Sequence, residues 1–192
     1  MKAITLWQPW ASLWAAGIKR NETRSWTTSH RGPLLIHAAK LTHMQLADKI
    51  GATAYFKLSD ICVDTLGILI SDLARGCIVG RVDVVGCFKV VECTFSDGSV
   101  GPSWQITGID EMNWPGMLEA SLGDYSPGRY AWIGAHHRVC EPIPCRGGQR
   151  LWNVPPGVLG FDWTCPGCGT QNPSSNTHCP CELQYDRGMV DP

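Results

Sequence analysis

Residues 77–91 read CIVGRVDVVGCFKVV, and this stretch decides the fold. β-Branched residues dominate it, which predicts one long strand. Gly80 and Gly86 interrupt the pattern and predict bends or bulges within that strand. Further strands are predicted at Ala3–Leu6, Leu34–Ala38 and Arg129–Val139, where short apolar runs lie between turn residues.

Helices are predicted between these strands. Thr42 and Gln45 have the spacing of a capping box at the start of one helix. Apolar residues recur at helical spacing within residues 59–73 and predict another. Because strands and helices do not alternate regularly, the predicted fold class is α+β, with a small barrel or curled sheet on which helices pack.

The composition suits a globular protein whose charge is unevenly spread. The chain has 192 residues, 44% of them apolar, and a net charge of −1. Residues 1–40 nevertheless carry six cations against Glu22 alone, a local net charge of +5. An anionic ligand is therefore expected at the N-terminal part. No run of about 18 apolar residues predicts a membrane span, and without a secretory signal we expect a cytoplasmic location.

Four of the ten cysteines cluster near the C-terminus, at positions 165, 168, 179 and 181. Thiolates in this number suit one tetrahedral zinc ion, and because four thiolates leave no open position the predicted metal is structural. The second pair is the tight form Cys-x-Cys, so His178 is an alternative ligand to one thiolate. The other interpretation is a flexible tail with spare cysteines.

The predicted organisation is a domain over residues 1–154, a linker over 155–162 and a zinc-binding module over 163–185. The motif Trp163-x-Cys165-x-x-Cys168-x-x-x-Asn172, followed by Cys179, resembles RanBP2-type zinc fingers and bacterial zinc ribbons. That resemblance implies a module that binds RNA or protein. Its acidic surroundings favour a stabilising or protein-binding role.

Opposite charges meet near the N-terminus, in the segment GIKRNETR at residues 17–24. On an extended chain, Glu22 and Arg24 share a face, and Lys19 at the preceding turn reaches over the same face. Together with Trp7 and Trp10 they have the character of a small polar and aromatic pocket. A solvated surface strand with a weak ion pair is the alternative.

Five motifs together resemble the ASCH domain family. They are ITLWQPWASL at 4–13, GIKRNETRSW at 17–26, RGPLLIHAAK at 31–40, GDYSPGRYAW at 123–132 and PIPCRG at 142–147. The pattern G-x-K-x-x-E-x-R within the second motif is the hallmark of that family. The resemblance implies a PUA-like β-barrel with a cleft at this motif, and binding of RNA or nucleotides there.

Some ASCH proteins are amidohydrolases that deacylate N4-acetylcytidine, and others are reported as ribonucleases. In the amidohydrolases a Lys is followed three residues on by a nucleophilic Thr, and a distant Glu completes the set. Lys19 matches the Lys, but Glu22 occupies the nucleophile position. The resemblance leaves the distant Glu as Glu111, or as Glu92 or Glu119.

Three functions follow from these features. The first is binding of RNA or a modified nucleoside, the second is hydrolysis of an N-acylated nucleoside by Lys19, Glu22 and Glu111, and the third is a protein–protein adaptor acting through the zinc module. The expected ligand-binding residues are Trp7, Gln8, Trp10, Lys19, Glu22, Arg24, Trp26 and Arg31, with the cations meeting phosphate or a base edge and the indoles stacking on a base. Glu22 in place of Thr favours the first function over the second.

Overall fold

A computed structural model describes residues 1–94, 100–105, 112–113, 116–155, 158, 163–164 and 171–172. The chain divides into two compact units, Met1–Asn153 and Val154–Pro192. The strands of the first unit are β1 Lys2–Leu6, β2 Asn21–Arg24, β3 Gly32–Ala38, β4 Cys77–Thr94, β5 Val100–Gln105, β6 Met112–Asn113, β7 Tyr130–Pro144 and β8 Leu151–Asn153. Its helices are α1 Trp10–Ala15, α2 His43–Ile50, α3 Ala52–Leu66, a 3-10 turn at Ile70–Asp72 and α4 Met117–Ser121.

One mixed sheet organises the first unit. Six strands follow the order β2-β7-β4-β3-β1-β8, and β5 and β6 extend from β4. The pairing of β1 with β3 is parallel, and the other neighbours are antiparallel. The register shifts near Gly80 and Gly86, where β4 pairs with β7, so the bends predicted from these glycines lie in the longest strand pair. The α+β class is confirmed.

Close packing explains why Gly80 carries no side chain. A Cβ at this position would lie 2.4 Å from the carbonyl oxygen of Arg138 and 2.6 Å from the Cβ of Ala15. Helix α1 therefore lies directly on the sheet at the bend of β4. Trp14, Ala15, Ile36 and Trp132 belong to the buried core between them.

The helices form a second apolar cluster of their own. The capping box predicted from Thr42 and Gln45 is present at the start of α2. The helix expected within residues 59–73 instead spans Ala52–Leu66, because Gly67 adopts φ 67° and ends it. A left-handed glycine is a common helix terminator. Ile70 then packs from the following 3-10 turn into the cluster of Leu13, Leu46 and Leu58.

The second unit is described only in part. Within it β9, Trp163–Thr164, pairs antiparallel with β10, Gln171–Asn172. Over all the residues that the structure describes, no helix has the length and apolar character needed to span a membrane.

Candidate functional site

A buried ion cluster lies at the start of β2. The side chain of Lys19 is 1% exposed, and its Nζ lies 3.1 Å from Oε2 of Glu22. The same ammonium donates a hydrogen bond to the backbone carbonyl of Asn21. On the other side, Nε of Arg24 lies 2.9 Å from Oε1 of Glu22. Each oxygen of this carboxylate thus has a cationic partner.

The two ends of the cluster differ in their access to solvent. Lys19 is enclosed, whereas the side chain of Arg24 is 28% exposed. The Nε–H of Arg24 has no hydrogen-bond acceptor among the described residues, so its close contact with Glu22 is ionic in character. Glu22 therefore holds a partly exposed guanidinium in place, with a buried ammonium behind it.

Arg24 also connects the two ends of the strand order along one line. Its Nη2 donates a hydrogen bond of 3.4 Å to the carbonyl of Thr5. Strand β2 is one end of the six-strand order, while β1 and β8 are at the other, so this contact joins two sides of the sheet that are not paired as strands. We call this line, marked by Thr5, Arg24, Trp26 and Arg150, the seam.

An aromatic residue and a second cation complete the seam. The half-buried ring of Trp26 packs edge-on against Trp132, with ring centroids 4.6 Å apart. The guanidinium carbon of Arg150 lies 5.8 Å from the centroid of Trp26, within the range of a cation–π contact. Arg150, at φ 54°, was not anticipated from the sequence, because the contact brings together residues more than a hundred positions apart.

Glu119 braces the backbone that carries the cluster. Its carboxylate is buried and accepts hydrogen bonds from the amides of Arg20 and Asn21, at 2.7 and 3.0 Å. It also accepts one from the hydroxyl of Tyr125, at 2.7 Å. Burial raises the pKa of Tyr125, and the negative charge of Glu119 raises it further, so this hydroxyl remains a donor. Glu119 is therefore a carboxylate from a distant part of the chain that contacts the backbone at the start of β2.

Thr23 occupies the opposite face of β2 from Glu22. Its Oγ1 accepts a hydrogen bond of 3.1 Å from the amide of Asp124. Its backbone carbonyl accepts one from Arg129. This hydroxyl therefore fixes the loop before β7 and does not lie on the face that carries the ion cluster.

The remaining expected ligand residues lie in several environments. Gln8 is buried, and its amide bonds to Ser12 and to the carbonyl of Ala74, which anchors α1. Trp7 is 43% exposed and has Lys49 over its ring, while Trp10 packs against the helical cluster. The exposed Arg31 donates to the carbonyls of Thr28 and His30.

Other expected site residues lie outside the described part of the chain. These are Glu111, His178 and the four cysteines 165, 168, 179 and 181. Among the residues that are described, no group of three or more His, Cys, Asp or Glu side chains could hold a metal ion. Glu92 is described and lies exposed on β4.

The sequence of this chain is similar to known proteins in two respects. The model of the ASCH domain family matches residues 4–144. Human Activating signal cointegrator 1 is 42% identical over 87 residues, which is 45% of this chain and 14% of that protein. Its mouse counterpart is 41% identical over 87 residues, with the same coverage. The match therefore covers about a seventh of the length of each relative.

Proposed function

Because this chain belongs to the ASCH domain family, we propose that it binds RNA or a modified nucleoside at the seam. One observation carries the proposal: the Lys19–Glu22–Arg24 cluster holds a partly exposed guanidinium at the seam that Trp26 also lines. A fixed guanidinium beside an indole is a combination that recognises nucleotides, since one meets phosphate or a base edge and the other offers a stacking face.

The individual roles follow from exposure. Arg24 and Arg150 supply positive charge at the seam, and Trp26 supplies the aromatic surface. Stacking of one base on an aromatic side chain contributes about 1–3 kcal/mol. Lys19 does not contact the ligand in this arrangement, because its ammonium is enclosed by Glu22 and Asn21. It acts through Glu22, as a counter-charge that keeps the carboxylate in place.

We also propose that the second unit carries a structural zinc ion, held by Cys165, Cys168, Cys179 and Cys181. Support comes from the β9–β10 pair. Strand β9 ends at Thr164, directly before Cys165, and β10 begins at Gln171, shortly after Cys168. Paired strands that flank a Cys-x-x-Cys segment are suited to hold two thiolates towards one ion. A protein partner bound through this module is the alternative function for this unit.

The binding proposal is tested by fluorescence anisotropy with a labelled single-stranded RNA of ten nucleotides. Arg24→Gln is expected to weaken binding about tenfold and, if Arg24 meets a phosphate, to lower the slope of log affinity against log salt by about one. Trp26→Leu is expected to weaken binding to a similar degree without changing the salt slope, because it removes stacking and no charge.

The matched control is Lys57→Gln. It removes one positive charge from an exposed position on α3, outside the seam. It is expected to bind RNA within about twofold of the wild type. Equal losses in Lys57→Gln and Arg24→Gln would show that net charge alone governs binding, and the seam would not be the site.

Hydrolysis of an N-acylated nucleoside is the second candidate, because a buried Lys19–Glu22 contact of 3.1 Å is available at the hallmark motif. In that function Glu22 would take a proton from water as the water attacks the amide carbonyl, and a cation would stabilise the oxyanion. Collapse of the tetrahedral intermediate would then break the C–N bond, with the proton from Glu22 passing to N4 of the leaving cytidine and acetate as the second product. Both oxygens of Glu22 are already engaged by cations, which favours binding over turnover. Release of cytidine from N4-acetylcytidine, measured by chromatography, would favour turnover over binding if it is abolished in Lys19→Met. Shortening of the RNA during the anisotropy experiment would instead indicate a ribonuclease.

A further inference from the structure

Helix α3, Ala52–Leu66, carries large apolar side chains on a side that does not pack into the helical cluster. Leu58 and Cys62 are buried in that cluster, whereas Phe56 and Val63 are 64% and 46% exposed. These two residues are seven positions apart, which is about two turns, so their side chains lie on the same side of the helix. The binding proposed at the seam makes no use of this side of α3.

The exposed apolar side chains belong to a regular stripe. Ala52, Phe56, Ser59 and Val63 follow one another at spacings of four, three and four residues. A single exposed Phe would need no explanation, but this spacing is typical of a helix that packs along a second helix. The small residues beside Phe56 and Val63 leave grooves that the side chains of a second helix can enter. The shape of the stripe therefore favours an α-helical partner.

Two aspartates lie beside the stripe, in the C-terminal half of the helix. Asp60 and Asp64 are exposed, and neither forms an ion pair with another described residue. With about 100° of rotation per residue, Asp60 lies within about 60° of Phe56 and of Val63 around the helix axis, whereas Lys57 lies about 100° or more from both. The charge nearest to the stripe is therefore negative.

The position of these aspartates along α3 also favours a cationic partner. The C-terminal end of a helix carries a partial negative charge, because its last carbonyl groups have no partner within the helix. Asp64 lies in the last turn, which contains no basic residue, and the helix ends at Gly67. A positive side chain placed here would be attracted by the carboxylates and by the end of the helix together.

The charge of the surrounding helical layer decides between possible partners. Residues 41–73 contain four aspartates and two lysines, a local net charge of −2. A second copy of the chain would bring the same negative charge to this surface, and like charges disfavour such a pairing. RNA carries a negative charge at every phosphate and is disfavoured for the same reason. The charges therefore favour a basic protein segment.

We propose that the exposed face of α3 binds a basic amphipathic helix of another protein. The apolar side chains of that helix pack on Phe56 and Val63, and its lysines or arginines lie beside Asp60 and Asp64. An amphipathic helix that lays its apolar face on a complementary surface is a common mode of peptide recognition. Because α3 contributes no residue to the seam, this proposal does not rest on RNA binding there.

The first test removes the largest apolar contact of the stripe. The complete chain is titrated at physiological salt into a fluorescent peptide about as long as α3, designed as an amphipathic helix with leucines along one stripe and lysines beside it. In fluorescence anisotropy, Phe56→Ser is expected to weaken binding about tenfold. The matched control is Val139→Ser, which removes an apolar side chain that is 67% exposed on β7, and it is expected to bind within about twofold of the wild type.

The second test reverses a charge beside the stripe. Asp60→Lys is expected to weaken the lysine peptide about tenfold and to strengthen binding of a peptide in which glutamates replace the lysines. Glu141→Lys makes the same change of charge at an exposed position on β7. It is expected to leave both affinities within about twofold of the wild type, because it lies outside the proposed surface.

Several results would overturn this proposal. They are failure of the lysine peptide to bind the wild-type chain, equal affinities of Phe56→Ser and Val139→Ser, and equal effects of Asp60→Lys and Glu141→Lys, which would leave net charge as the cause. A wild-type dimer in sedimentation equilibrium that dissociates in Phe56→Ser would show that a second copy occupies the surface instead.

Binding of RNA provides a separate measurement. Phe56→Ser is expected to bind single-stranded RNA as the wild type does, and a parallel loss of RNA and peptide binding would contradict a surface distinct from the seam. If the wild-type chain binds the peptide but no RNA, the proposed function fails and the surface on α3 remains.

Discussion

Glu22→Gln is the change that most strongly tests how the site is held together. The substitution keeps the size of the side chain but removes its charge. Lys19 would then remain buried without the counter-charge of its described contact, with neutral carbonyl acceptors alone, and Arg24 would lose the carboxylate 2.9 Å away. Because Arg24 is partly exposed, water can replace that loss. Water cannot replace the lost charge at Lys19, because its side chain is only 1% exposed.

The expected cost follows from that buried ammonium. Removing one partner of a buried ion pair typically costs about 3–5 kcal/mol, against a total stability of about 5–15 kcal/mol for a domain. For a domain of this size each kcal/mol lowers the melting temperature by about 2–4 °C, so a fall of about 6–20 °C is expected. The assay is thermal unfolding followed by far-UV circular dichroism, with urea unfolding to check the free energy.

Two comparisons make this prediction specific. Glu92→Gln removes a carboxylate from an exposed position on β4 and is expected to melt within about 2 °C of the wild type. The double variant Lys19→Met with Glu22→Leu removes both charges, and we expect it to be more stable than Glu22→Gln alone, because an apolar pair can replace a buried ion pair. The reasoning is refuted if Glu22→Gln melts like Glu92→Gln, or if the double variant is no more stable than Glu22→Gln.

Three further predictions concern other parts of the chain. Glu119→Ala leaves two backbone amides and the Tyr125 hydroxyl without their acceptor, and urea unfolding should show a loss of about 3 kcal/mol or more, compared with less than about 0.5 kcal/mol for the exposed Glu141→Ala. Burial lowers the pKa of His37 and keeps its imidazole neutral, so the unfolded chain binds more protons just below pH 6.5, and stability should fall as pH falls from that value and level off below the folded pKa. His37→Phe should flatten this part of the stability profile, and an unchanged profile would contradict the assignment of a neutral imidazole. Displacing the four C-terminal thiolates with a mercurial should release one zinc ion per chain, measured with a colorimetric zinc indicator, and release of none would remove the zinc module.

Local sequence signals were sufficient for much of the fold. The β-branched run at residues 77–91 predicted the long strand, observed as Cys77–Thr94, and the capping box of α2 was confirmed. The second helix was misplaced because its apolar spacing continues past Gly67, and only the left-handed conformation of that glycine ends it. The ASCH resemblance, read from five motifs, is confirmed by the match over residues 4–144.

The site was less accessible to sequence reasoning. Spacing alone placed Lys19, Glu22 and Arg24 on one face, where the structure has their two ion pairs. The depth at which Lys19 lies depends on Glu119 and on packing from distant elements, and no local pattern encodes it. Arg150 likewise reaches the seam where separate strand ends meet, so its role depends on the three-dimensional arrangement.

The most direct test of the central claim is an NMR titration of the tryptophan indoles with single-stranded RNA. The chain has nine tryptophans, and loss of one indole signal in Trp26→Phe assigns the residue at the seam. We predict that the Trp26 indole and the Nε–H of Arg24 shift together and saturate at the same RNA concentration, while the Trp7 indole stays unchanged. A saturable shift of Trp7 with Trp26 and Arg24 unmoved would place the RNA elsewhere and contradict binding at the seam.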